Sequence, residues 1–114
     1  MELEQRIKKI KKIKNQIEKL DIAYLADRNL FSKINELEKI FDDLITNCSF
    51  EDRQYIGDFF SRKIYVIGEN RHWAMMVGQR FFSKKNALEY IKADKNPNNK
   101  VFCVTMKEVH IDSN

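Results

Sequence analysis

Two apolar seams within the first 48 residues constrain this chain more than any other feature. Leu30, Ile34, Leu37, Phe41, Leu44 and Cys48 recur at steps of four and three, the spacing of a helix that lays one face against another helix. Phe31, Ile40 and Ile45 widen that face. Ahead of it, Leu3, Ile7, Ile10, Ile13, Ile17 and Leu20 draw a second stripe, which predicts a helix over residues 2–26. The turn falls near residues 27–29, where Asp27 or Asn29 can cap the second helix. Residues 1–25 hold seven basic and four acidic side chains, and residues 26–60 hold four basic and eight acidic. The helices therefore attract along their flanks when folded back as an antiparallel hairpin. Each exposed pair is worth only about 0.2–0.5 kcal/mol, so charge selects the pairing more than it stabilises it.

Beyond the hairpin (residues 1–48), Ser49 followed by Asp52 reads as a helix start. Tyr55, Ile56, Phe59 and Phe60 suit a short connecting helix within residues 49–62 that docks the hairpin to the sheet. Residues 63–106 parse as a ββαβ unit. Ile64 to Ile67 is β-branched and aromatic, as a strand buried on both faces requires. Gly68-Glu69-Asn70-Arg71 has turn chemistry. Trp73, Met75 and Val77 alternate with His72, Ala74 and Met76, predicting a second strand that Gly78 ends. Ser83 is a good helix N-cap, with Phe82 and Ala87 spaced as a hydrophobic staple. Ala87, Leu88 and Ile91 form the apolar stripe of that helix, with Tyr90 at its edge, and Pro97 stops it by about Lys95. Val101 to Met106 is the third strand. The predicted order is second, first, third, all antiparallel, with the helix across one face. A parallel second–third pair is the alternative. Residues 107–114 read as a frayed tail. The fold class is thus α+β, in a single domain of 114 residues.

The seams also predict association. A sheet unit of this size cannot cover two helices each about 30 Å long. The economical burial of the surplus is a homodimer or higher homo-oligomer, with Leu30, Ile34, Leu37, Phe41 and Leu44 at its interface. No apolar run approaches the roughly 20 residues of a membrane span. The N-terminus lacks the apolar core of a secretory signal. The two cysteines fit a reducing cytosol.

Catalytic and metal motifs are not evident. Gly57, Gly68 and Gly78 are isolated, so there is no phosphate loop. His72, His110, Cys48 and Cys103 are scattered, and both cysteines fall on apolar stripes, so no metal or other cofactor is expected. The chain reads as a non-enzymatic binding module. Its richest polar-aromatic run supplies the candidate ligand-binding residues Arg71, His72, Trp73, Arg80, Phe82, Lys84 and Lys85. Lys84 and Lys85 occupy a first helical turn, where free N–H groups favour an anion. The cations of the first helix are a second candidate, able to follow a phosphate backbone, although the net charge of +4 is modest. The expected ligand is a nucleotide or a nucleic acid. The alternative is a protein-interaction inhibitor or adaptor that docks through the amphipathic helices.

In size, Lys-, Ile- and Asn-rich composition and lack of catalytic motifs, the chain resembles the small accessory proteins of phages and mobile elements, including those that block bacterial defences. That resemblance implies either sequestration of a signalling nucleotide or direct binding of a host defence protein, in the host cytoplasm. It rests on composition, and no residue is carried over from it.

Overall fold

The computed structural model describes residues 1–105. Met106, the tail 107–114 and His110 within it lie outside the described residues. The first helix, α1 (Leu3–Tyr24), buries Ile10 and Ile17 from the predicted stripe. The Asp27 carboxylate accepts from the Asn29 amide at 3.0 Å and opens a single 3-10 turn, Arg28–Leu30. That turn leads into α2 (Phe31–Thr46). The last four carbonyls of a helix have no partner within it, and here each finds one. The Asn47 amide donates to Asp43 O, Arg6 Nη1 to Leu44 O at 2.9 Å, Cys48 Sγ to Ile45 O and Arg53 Nη2 to Thr46 O. Arg6 lies near the start of α1 and Arg53 near the start of α3 (Phe50–Ser61), so both helices set out from the same end of α2. The start of α3 is capped by Ser49, whose hydroxyl accepts from the Asp52 amide.

Within one copy, Ile34 is buried and Leu30, Leu37, Phe41 and Leu44 are half-buried. The seam assigned to an oligomer is thus engaged largely inside the chain, where α2 packs along α1. On α2 and α3 the large apolar side chains left exposed are Phe31, Ile40, Phe50 and Tyr55.

The central strand is β1 (Lys63–Gly68), and its Tyr65, Val66 and Ile67 are all buried. It pairs antiparallel with β2 (Gln79–Phe81) on one side and β3 (Lys100–Thr105) on the other. The sheet order is β2-β1-β3, the predicted order. Tyr65, Ile67 and Phe81 share one face, and α5 (Lys84–Ala93) crosses it, burying Ala87 among them with Tyr90, Ile91 and Val101 at the margin. Phe81, not Phe82, joins Ala87 in this core. Phe82 turns away and stacks on Phe60, 5.0 Å between centroids. Cys103, placed on an apolar stripe by the sequence, is exposed on the edge strand β3.

The predicted second strand over residues 72–77 is instead a helix, α4 (Arg71–Val77), and the pairing strand begins after Gly78. Two causes decide this. The Asn70 side chain accepts from the Trp73 amide at 2.9 Å and caps the helix. Ala74, fully buried, then packs on Gly68, where even a Cβ would come within 2.8 Å of the Ala74 backbone. The period-two pattern of Trp73, Met75 and Val77 corresponds to no buried face. All three are exposed, Trp73 at 55% and Val77 at 75%.

Candidate functional site

Three separate stretches of chain meet around a cavity of about 330 Å³. From α1 come Lys11, Lys14, Asn15 and Glu18. The α3–β1 junction supplies Phe59, Phe60, Arg62 and Lys63, and the turn into α5 supplies Phe82 and Ser83. The three phenylalanine rings form a chain of contacts through Phe60. Phe59 meets Phe60 edge-on at 5.0 Å, and Phe60 stacks on Phe82. Four cations line the cavity with them, and three of these stand over the rings, while Lys63 Nζ lies 6.0 Å from the Tyr65 ring centre. Lys11 Nζ stands 4.9 Å from the Phe59 ring centre, Lys14 Nζ 5.3 Å from that of Phe82, and the Arg62 guanidinium 5.9 Å from Phe59. An exposed cation–π contact is worth about 0.5–1 kcal/mol, whereas a hydrogen bond to a charged group is worth about 1.5–3 kcal/mol. The cations are therefore held on the ring faces only weakly compared with a hydrogen bond to an anion.

Glu18 explains how the cavity is held open. It is only 1% exposed. Its Oε2 accepts from the Phe82 amide at 3.0 Å, and Oε1 accepts from the Ser83 amide and from Asn86 Nδ2, both at 3.2 Å. The Asn86 amide donates to Ser83 Oγ, and Asn86 Nδ2 also donates to Asn15 Oδ1 at 2.9 Å. The anion expected at the N-terminus of α5 is thus the chain's own carboxylate, reaching from α1. That corrects the reading of Lys84 and Lys85 as flanking an open anion site. Both are exposed in the first turn of α5 around a position already filled. Among the described residues, the acceptors lining the cavity are largely engaged, while the Ser83 hydroxyl, the Asn15 amide and four cations have no hydrogen-bond acceptor. Such a lining selects a ligand made of acceptors.

The other residues singled out in the sequence do not converge here. Of the seven, Phe82 alone lines this cavity. Arg71, His72 and Trp73 are exposed in the first turn of α4, beside the Gly68 end of β1. Phe82 follows Phe81, which pairs with Tyr65 nearer the opposite end of that strand. Arg80 is committed locally, its Nη2 donating to Met75 O. Trp73 and Val77 border a second cavity of about 410 Å³ with Glu69, Asn96 and Asn99. The charged residue of that lining is acidic, which disfavours an anion. Sequence reasoning missed the first cavity's full set because its walls lie up to 72 residues apart, from Lys11 to Ser83. The available signals were the pair Lys11 and Lys14 on one side of α1, and Phe59-Phe60 one residue before Arg62-Lys63.

Asp21, one turn beyond Glu18, accepts from Gln79 Nε2 at 3.1 Å. Burial raises its pKa from 3.8 to about 6, with Glu38 and Glu18 adding to the rise and Lys14 and the Gln79 bond opposing it. The folded chain thus holds this proton more tightly than the unfolded chain. The contribution of this group to stability is therefore fully present below about pH 4 and is lost as pH rises to about 6. Asp21→Asn is expected to remove this slope and to stabilise the protein at pH 7.5 by about 1–2 kcal/mol, a figure reduced for the partial exposure of the group. Urea unfolding of both forms at pH 5 and pH 7.5 checks it, and equal pH slopes would refute it.

Among the described residues, no group of three or more His, Cys, Asp or Glu could hold a metal ion, and no helix is long and apolar enough to cross a membrane. Compared with protein-family models, curated proteins and solved structures, the chain matches none.

Proposed function

We propose that this protein is a non-enzymatic binding module that captures a nucleotide-type anion in the cavity between α1, the α3–β1 junction and the start of α5. One observation carries the reading: Lys11, Lys14, Arg62 and Lys63 line one cavity with Phe59, Phe60 and Phe82, with donors unused among the described residues. The rings offer stacking to a base, and the cations with Ser83 and Asn15 offer hydrogen bonds to phosphate. Neither feature alone selects a nucleotide; together they do. The expected result is a rise in melting temperature with nucleoside phosphates and none with nucleosides or inorganic phosphate alone. The ligand panel includes cyclic nucleotides, because sequestration of a signalling nucleotide is one of the two roles that the resemblance to anti-defence proteins implies. Combining Lys11→Glu with Arg62→Glu is expected to weaken binding at least about 100-fold, since each loses a charge-assisted contact and gains a repulsive one. No shift across the panel, with no retention on immobilised nucleic acid, sinks the reading.

A second reading, docking to a protein, has an observation of its own. Trp73, Met76 and Val77 are spaced three and four apart on α4 and all are exposed. The oligomer also stands as a proposal. Phe31 and Ile40, exposed on opposite edges of the α2 face that packs on α1, are the apolar side chains of that helix left for a second copy to cover, and the native mass of the purified protein reads it.

A further inference from the structure

We propose that the cavity is the first station of a longer track, and that its ligand is a single strand of nucleic acid rather than a lone nucleotide. The proposal rests on the nucleotide reading above and extends it. Both rows of groups that make the cavity continue past its edge in the same direction. Lys14 stands over Phe82 and Lys11 over Phe59. Lys8 lies one turn before Lys11 on the exposed side of α1. Tyr55 lies one turn before Phe59 on α3, its ring 6.4 Å away and inclined by only 22°.

These turns run the same way because α1 and α3 both start at the C-terminal end of α2, tied there by Arg6 and Arg53. Moving back along both helices from the cavity therefore passes from Lys11 to Lys8 on α1 and from Phe59 to Tyr55 on α3. The Tyr55 ring is 48% exposed, although burial against the hairpin would be the default for an aromatic on this helix. Successive cations about 4.5 Å apart along α1 can follow one phosphate chain. The 6.4 Å ring step is about twice the 3.4 Å rise per nucleotide of a duplex strand, which suits a stretched single strand. A duplex hides its base faces, so aromatic rings at this position gain nothing from it.

The test is fluorescence anisotropy of the full chain with fluorescein-labelled dT8 and U8, competed by unlabelled dTMP, dT2, dT4 and dT8. The competing concentration is expected to fall at least about ten-fold from dTMP to dT4 and to level off beyond it. Tyr55→Ala, a surface change checked for folding by circular dichroism, is expected to weaken dT4 about ten-fold and leave dTMP unchanged. The salt dependence should steepen from dTMP to dT4, as more phosphates meet cations. The U8 and dT8 arms tell RNA from DNA as the source of the strand. If dTMP and dT4 compete equally, or if Tyr55→Ala leaves dT4 unaffected, the track is refuted while the nucleotide reading stands. If no length of strand and no mononucleotide binds, that reading falls as well.

Discussion

Glu18→Ala is expected to cost about 3–5 kcal/mol of folding stability, the largest effect of any single side chain here. The carboxylate satisfies the Phe82 amide, the Ser83 amide and the Asn86 side chain. Without it those donors turn inward with no acceptor, each at a cost of about 1–3 kcal/mol. The open cavity lets water reach some of them, which keeps the total below the simple sum. The favourable placement of a negative charge at the start of α5 is lost too. Domains of this kind are stable by only about 5–15 kcal/mol, so the variant sits near the folding threshold. Glu18→Gln keeps one acceptor oxygen but sets an NH2 group among the donors, and is expected to cost about 2 kcal/mol. Urea denaturation gives both values. A loss below about 1 kcal/mol in the alanine variant would show that α1 does not anchor the sheet unit through this carboxylate.

The second large effect is at Gly78. A Cβ there would meet Ile67 O, and would lie 2.5 Å from Ala74 O and 2.9 Å from Ala74 Cα. All three are backbone atoms of elements that hold each other, so no side chain can swing aside. The φ of −71° is ordinary, which means that bulk and not backbone conformation excludes other residues. Gly78→Ala is expected to destabilise by about 3 kcal/mol, the upper part of the range for overpacking. The change should separate α4 from β1 before the hairpin opens. Trp73, the only tryptophan, sits on α4 and reports that step by its fluorescence. Gly57→Ala is the control. Nothing lies within 4 Å of a Cβ there, and in mid-α3 alanine should add about 0.5–1 kcal/mol. Equal behaviour of the two alanine variants would refute the argument from close approach.

The elements with a strong local cause were legible in the sequence. Ser49 and Ser83 start α3 and α5 through their own hydroxyls. The apolar run 64–67 is the central strand, and the order of the sheet follows from it. The error at residues 72–77 has a physical origin. Six residues are too few for periodicity to separate a strand from two turns of helix. The deciding facts were a capping Asn70 and the fit of Ala74 on Gly68, and the second of these is a tertiary contact. The candidate site was legible only in pieces. The basic face of α1 and the Phe59-Phe60 pair were each visible, but not their meeting with Phe82. Glu18 carries no local signal in the sequence, because its partners, the Phe82 and Ser83 amides and the Asn86 side chain, lie 64 to 68 residues away.

The three-part wall of the cavity bears on how binding can be detected. Its sides come from the hairpin, from the junction that joins hairpin to sheet, and from the turn that opens α5. An occupant of that space rivets the two halves of the molecule together. It binds only the assembled chain, so it shifts the unfolding equilibrium in proportion to its occupancy. Protease cleavage near residue 62 should therefore slow in its presence, which lets limited digestion screen unlabelled compounds without any assay of activity.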